Sequence, residues 1–306
     1  MVDVSTSRRL VHAIFLIALA LVFSITKPAQ ALVRVQDDRG IIHQWASPPQ
    51  RIVSLLPSMS ETVCALGECK RLVGVDRYAN YPEYVKALPK VGGGLDPSIE
   101  AVVALKPEVV LMSTATKVAA RLESLGIKVI ALNTQQHADV MRLLAVTARL
   151  LGLESQGTEA QPSGPVSRRL WHEIQTGVQA AAIGLPQRPI KVYFEVSSAP
   201  YAASASSFIG ETLATLGVAN VVPGSMGSFP KINPEMVVRA DPDVIMLSET
   251  QMLELQQRPG WSQMRAIKAQ QVCVFPTAQA ELLVRPGPRL AEAAQIMATC
   301  LKEKLR

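Results

Sequence analysis

The sequence is poor in the residues from which active sites and metal centres are built. It holds four histidines among 306 residues. His12 lies in an N-terminal leader, which leaves His43, His137 and His172. None of these three has a second ligand at helical spacing or an acidic companion, which argues against a zinc or manganese site. The patterns G-x-S-x-G, H-E-x-x-H, C-x-x-C and the P-loop are all absent, and with them the hydrolase, metalloprotease, redox and nucleotide-hydrolysing chemistries they serve. Gly92-Gly93-Gly94 lacks the second half of a dinucleotide fingerprint and reads as a mobile loop. Lysine and arginine exceed aspartate and glutamate by 31 to 25. The basic residues are scattered and not grouped with aromatics, so the surplus makes no case for nucleic acid. A secreted α/β enzyme remains only a remote alternative, and no cofactor or resident metal is expected.

What is present begins with an export signal. Arg8-Arg9 precede an apolar run from Leu10 to Ile25, broken only by His12 and Ser24, and Ala29-Gln30-Ala31 follows. Basic, apolar and small-x-small segments in that order predict a signal peptide over residues 1–31, cleaved after Ala31, and therefore a periplasmic protein. The run is shorter than the roughly 20 residues a membrane span needs, and no cysteine stands near Ala31 to carry a lipid anchor. Cleavage removes Arg8, Arg9, Lys27 and Asp3, so the mature chain is only mildly basic. Cys64, Cys69, Cys273 and Cys300 all fall on the exported side, where disulfides are permitted. Cys64 and Cys69 are close enough to bridge around Gly67, and Cys273 on a late strand could meet Cys300 on the last helix. Three pairings are open, as are free buried thiols.

The chain is organised around an internal echo. The stretch DPSIEAVVALKPEVVLM, from Asp96 to Met112, recurs as NPEMVVRADPDVIML, from Asn233 to Leu247. Each copy reads as a short helix running into a strand, with Asp96 or Asn233 as N-cap and Pro97 or Pro234 at the first helical position. Pro107 and Pro242 end the helices and lead into unbroken apolar runs, as expected of strands covered on both faces. Glu100 and Glu235 each precede that proline by seven residues. A second echo, Glu61-Thr62 with Leu66-Gly67 against Glu211-Thr212 with Leu216-Gly217, recurs in the same order. Two landmarks repeated in sequence imply a duplicated lobe.

Strand and helix signals alternate through both halves, which predicts an α/β fold with mostly parallel sheets. Strands are expected at Ile52 to Leu56, Leu72 to Val75, Ile127 to Leu132 and Ile190 to Val196. Helices are expected at Ser60 to Leu66, Val140 to Leu151 and Leu290 to Leu305. Gln156 to Pro165 is poor in apolar residues, and Pro165 starts a helix to about Ile183 with Leu170, Ile174 and Val178 on one face. The boundaries are a signal peptide at 1–31, an N-terminal lobe at 32–155, a linker with a backbone helix at 156–188, and a C-terminal lobe at 189–306. Ligands of open α/β sheets sit outside the carboxyl ends of the strands. In the first lobe those exits carry Pro57, Ser58, Arg77, Tyr78, Tyr81, Gly92 to Gly94 and Ser113 to Thr116. In the second they carry Ser197 to Tyr201, Phe229, Lys231, and Glu281 to Arg285, including Leu282.

Taken together, PQRIVSLLPSMSETVCALG (49–67), RLVGVDRYANYP (71–82), LPKVGGGLDPSIEAVVALKPEVVLM (88–112), LGIKVIAL (125–132) and NPEMVVRADPDVIML (233–247) resemble the periplasmic substrate-binding proteins of ABC importers for cobalamin, ferric siderophores and haem. The resemblance implies two Rossmann-like lobes joined by a long linker helix, little hinge closure, and a metal chelate held between the lobes. It implies a monomer that delivers its ligand to a permease dimer at the inner membrane. Tyr78 stands where the cobalamin binders have a corrin-contacting tyrosine. Glu100 and Glu235 stand where they have two acids that dock on permease arginines. Leu282-Leu283 replace aromatics that those binders carry before Arg-x-x-Pro. Gly93 replaces a tyrosine used by haem binders. Cobalamin is the expected ligand. A ferric siderophore is the alternative, for which Arg77, Lys231 and Arg285 would supply positive charge.

Overall fold

The computed structural model describes residues 32–155, 164–186, 188–198, 200–255 and 257–305. The signal peptide and its cleavage point lie outside the described residues, as do residues 156–163 of the linker. A hairpin of β1 (Val33–Gln36) and β2 (Ile42–Trp45) opens the described chain. Buried Asp37 accepts from Arg39 N, Ile41 N and Ala131 N and so ties the hairpin turn to the first sheet.

The first lobe runs β3 (Ile52–Ser54), α1 (Pro57–Ala65), β4 (Leu72–Val75), α2 (Glu83–Lys86), α3 (Ile99–Ala104), β5 (Val109–Ser113), α4 (Ala119–Ser124), β6 (Lys128–Leu132) and α5 (His137–Leu150). Its four strands are all parallel in the order β4-β3-β5-β6. Helix α6 (Pro165–Ala181) follows, 17 residues or about 26 Å long. The second lobe runs β7 (Lys191–Ser197), β8 (Tyr201–Ala202), α7 (Phe208–Thr215), β9 (Ala219–Asn220), α8 (Pro234–Ala240), β10 (Val244–Ser248), α9 (Glu249–Leu255), α10 (Arg265–Lys268), β11 (Val272–Phe275), α11 (Thr277–Leu283) and α12 (Leu290–Lys304). Its parallel strands are ordered β9-β7-β10-β11, with β8 added antiparallel to the end of β7. Each lobe therefore places its first strand inside its parallel sheet and the next parallel strand, β4 or β9, at the edge, the expected duplicated, Rossmann-like arrangement.

The repeat is more exact than its first reading. The N-cap of α3 is Ser98, whose Oγ accepts from Ala101 N at 3.1 Å, and not Asp96. Asp96 is instead held by Arg77 at 2.6 Å, and Pro97 stays outside the helix. In the second copy Asn233 is the N-cap and Pro234 takes the first helical position, as expected. Glu100 and Glu235 are thus both the second helical residue. Lys106 (φ 47°) and Asp241 (φ 44°) both turn left-handed immediately before their prolines, the conformation in which helices commonly end. The acids after the prolines also match. Glu108 accepts from the backbone N–H groups of Gln50 and Arg51, and Asp243 accepts from Lys191 N at 2.8 Å.

Two further expectations shift. Helix α1 starts at Pro57 and not Ser60, since proline at the first helical position costs no hydrogen bond. Gly92 to Gly94, expected as a mobile loop, form a turn tied by hydrogen bonds to its neighbours. Arg77 N donates to Gly92 O at 2.7 Å, Thr116 Oγ1 donates to Gly94 O at 2.7 Å, and a side chain on Gly93 would collide with Asp96.

Helix α6 starts at Pro165 as the sequence predicts, and Glu154 receives the N–H groups of Gly164 and Ser167 at its start. Ile174 and Val178 are buried in a cluster that holds Val140 and Leu144 of α5 together with Leu290, Ala294 and Met297 of α12. The backbone helix is therefore packed into the core of the second lobe while touching the last helix of the first. Disulfides join Cys64 to Cys69 and Cys273 to Cys300, with Cα separations of 4.2 and 5.9 Å.

Candidate functional site

The strand exits of the first lobe converge on the loop after β4. Asp76 is buried there and accepts from Tyr78 N at 2.8 Å. Burial pushes its carboxyl up to about 6, against the pull of that hydrogen bond and of Arg285 and Lys90. Lys90 Nζ donates to Ala79 O and Val85 O from below. So anchored, the loop holds Tyr78 57% exposed and Tyr81 47% exposed. Arg77 lies with its guanidinium carbon 5.9 Å from the Tyr78 ring centre and is paired with Asp96.

The lobes are joined by Arg285, which is 9% exposed. Its Nη1 donates to Glu61 Oε1 at 2.9 Å and Asn80 Oδ1 at 2.8 Å, and its Nη2 donates to Tyr78 O at 3.1 Å and Glu281 Oε2 at 3.0 Å. Asn80 returns a bond to Glu281 at 2.9 Å. Burial holds the Glu61 carboxyl above the usual range while Arg285 and Arg289 oppose it, and Glu61 Oε2 has no partner among the described residues. Arg289 also sits 3.9 Å from the Tyr81 ring centre. Ser58 is buried beneath the turn at Gly287, where a Cβ would come 3.3 Å from that of Ser58. Arg285 and Ser58 thus belong to the contact between the lobes. Pro57 starts α1 half-buried above it.

The second lobe supplies a cavity of about 230 Å³ at the carboxyl ends of β7, β10 and β11. Its walls are Phe194, Val196, Leu247, Phe275, Leu283 and Val284, with Glu195, Ser248, Thr250, Gln251, Thr277 and Glu281 as polar members. Glu195 is neutralised by a two-pronged pair with Arg258 at 2.5 and 2.7 Å and receives Tyr193 OH at 3.0 Å. Glu281 links this cavity to the Tyr78 loop through Asn80 and Arg285. Leu282 is buried in the lobe's core and offers no surface. Tyr201 is 40% exposed and pairs across a β-bridge with exposed Lys231, while half-buried Phe229 packs on Phe208 at 5.7 Å between ring centres. Among the described residues no group of three or more His, Cys, Asp or Glu could hold a metal ion.

Glu100 and Glu235 stand exposed on equivalent first turns of α3 and α8, on separate lobes. Two parts of the site escaped the sequence reading. Glu61 carries no site signal in the sequence beyond its repeat at Glu211, and the β10 exit from Ser248 to Gln251 carries no motif. The repeat held the signal for the latter: Ser248 lies at the end of β10 as Ser113 lies at the end of β5, and Ser113 to Thr116 was already a candidate exit.

A family model described as periplasmic binding protein matches residues 52–278. An uncharacterized ABC transporter substrate-binding lipoprotein, YvrC of Bacillus subtilis, is 29% identical over 259 residues, covering 82% of this chain and 79% of that protein. The vitamin B12-binding protein of Vibrio cholerae is 24% identical over 261 residues, covering 83% of this chain and 90% of the relative. Among solved structures, a periplasmic heme binding protein from Pseudomonas aeruginosa superposes with a TM-score of 0.69 at 23% identity, over 83% of this chain and 93% of that one.

Proposed function

Because this chain belongs to the periplasmic binding protein family, a family of binding components and not of enzymes, we propose that it is the exported substrate-binding component of an ABC importer and that it captures cobalamin or a related corrinoid between its lobes. It then delivers the ligand to a permease dimer, with Glu100 and Glu235 as the docking acids. Kinship with substrate-binding and vitamin B12-binding proteins supports the transport role.

The observation that carries the choice of ligand is the state of the arginines around the cleft. Arg77 is paired with Asp96 at 2.6 Å, Arg258 with Glu195 at 2.5 Å, Arg285 with Glu61 at 2.9 Å and Arg289 with Glu292 at 2.7 Å. An anionic ferric siderophore, or a haem with its two carboxylates, would want arginines open for forked pairing. Arg258, Arg285 and Arg289 each already use two guanidinium nitrogens on partners, and Arg77, which gives one nitrogen to Asp96, is left with Lys231 to meet such a ligand. A large chelate with a neutral periphery fits better, resting on the exposed rings of Tyr78, Tyr81 and Tyr201.

Mass spectrometry of the ligand that copurifies, followed by calorimetry with cyanocobalamin, a ferric hydroxamate siderophore and hemin, tests this reading. Tight binding of cyanocobalamin is expected. Binding of the siderophore or hemin with no heat from the corrinoid would refute the ligand assignment.

A further inference from the structure

We propose that the cavity at the ends of β7, β10 and β11 is a subsite for a carboxamide arm of the ligand, in which Gln251 donates to the amide carbonyl and Glu281 accepts from the amide N–H. This deepens the corrinoid reading and rests on it for the identity of the whole ligand. The cavity, at about 230 Å³, is smaller than the roughly 300–1,000 Å³ of pockets that enclose a whole drug-sized molecule. It therefore suits a part of the ligand.

Gln251 is 4% exposed and lines this cavity. Ser248 N donates to Gln251 Oε1 at 2.6 Å. A backbone N–H can only donate, so the side-chain oxygen is the atom held against it and the NH2 group is turned away from Ser248. No acceptor among the described residues receives a bond from that NH2. The NH2 is therefore a donor open to the cavity that Gln251 lines, where an occupant with an acceptor can take it.

The other lobe shows what the same position does when it serves structure alone. Thr116 lies three residues beyond β5, as Gln251 lies three beyond β10, and its hydroxyl is closed onto Gly94 O at 2.7 Å. The donor at Gln251 has no such use.

A second polar lining residue, Glu281, selects the charge of the arm. Glu281 Oε2 receives Asn80 and Arg285, while its Oε1 receives no bond among the described residues. A carboxylate arm would meet Glu281 with like charge. A carboxamide brings a carbonyl for Gln251 and an N–H for Glu281, and its methylene stem lies against Phe194, Val196 and Leu283.

The subsite is tested apart from the whole ligand by titrating isotope-labelled protein with propionamide and, in parallel, with sodium propionate. The readout is the pair of Gln251 side-chain NH2 resonances, assigned by their loss in Gln251→Glu. Propionamide is expected to shift them and propionate to leave them in place. Calorimetry with cyanocobalamin, whose periphery carries such amides, is the second arm. Gln251→Glu keeps an oxygen for Ser248 N and turns the donor into an acceptor, so it should bind about tenfold more weakly or worse, as should Gln251→Leu. Resonances unmoved by propionamide, or wild-type affinity in both variants, overturn the subsite. Propionamide moving Gln251 in a protein that ignores cyanocobalamin overturns the corrinoid reading and supports the subsite.

Discussion

Arg285→Met is the substitution that most directly tests how the two lobes are held. The methionine keeps the apolar stem and removes four hydrogen bonds, those to Glu61, Asn80, Tyr78 O and Glu281. Glu61 would stay buried with one oxygen already unpartnered, and Arg289 at 3.7 Å would be its nearest cation. Breaking a buried ion pair from one side costs about 3–5 kcal/mol. Residual help from Arg289 puts the expected loss near the lower end, about 3 kcal/mol. In urea unfolding at neutral pH, with a slope of about 3 kcal/mol/M for a chain of this size, the midpoint should fall by about 1 M. The deficit has a pH signature. Burial already raises the Glu61 carboxyl above the usual range, and losing Arg285 raises it further. The folded variant therefore takes up a proton more readily than the unfolded chain, and the deficit shrinks as pH falls through that raised value. Adding Glu61→Gln removes the stranded charge and should bring stability back to within about 1 kcal/mol of wild type. A loss below about 1 kcal/mol in Arg285→Met, or the same loss whether or not Glu61 is present, would refute the buried bridge as the tie between the lobes.

Three other outcomes are expected. Asp76→Asn keeps an acceptor for Tyr78 N; the gap between about 6 and the usual 3.8 is worth about 3 kcal/mol, so unfolding curves should show it more stable than wild type by up to that amount above pH 6, the gain fading as pH falls toward 4. Cys273→Ser with Cys300→Ser opens a link spanning 27 residues and should cost about 3.5 kcal/mol in denaturant unfolding, and a loss below about 1 kcal/mol would mean the bridge adds little to stability. Glu100→Arg with Glu235→Arg should bind ligand normally and fail in uptake, because reversal faces like charges at a docking surface; normal uptake at native expression would leave these acids serving only the positive ends of their helices.

The backbone of this protein was legible because the chain says the same thing twice. The spacing from Glu100 to Pro107 and from Glu235 to Pro242 set the register of two helix-strand units, while the left-handed residues before both prolines were visible only in the structure. Choosing Asp96 as an N-cap came from residue type alone and missed by two positions, since Ser98 is what the repeat aligns with Asn233. Availability of charge was not legible. Arg77 and Arg285 read as open cleft cations because nothing in sequence brings Asp96 to one or Glu61, 224 residues away, to the other. The matched pair Glu61 and Glu211 makes the same point, as Glu61 receives Arg285 while Glu211 receives His137 N at 2.6 Å.

A repeat therefore locates positions without assigning their chemistry, and the useful comparison is the count of hydrogen-bonding atoms at each matched pair. Thr116 has one donor, and closing it on Gly94 O exhausts it. Gln251 carries a carbonyl and two N–H donors, and the local bond from Ser248 N uses only the carbonyl. Where both lobes keep the backbone and one of them carries more polar atoms than its own fold consumes, the surplus is oriented by the local bond and set at a strand exit. That is the arrangement a ligand site needs, since a donor fixed in direction before the ligand arrives loses little freedom on binding.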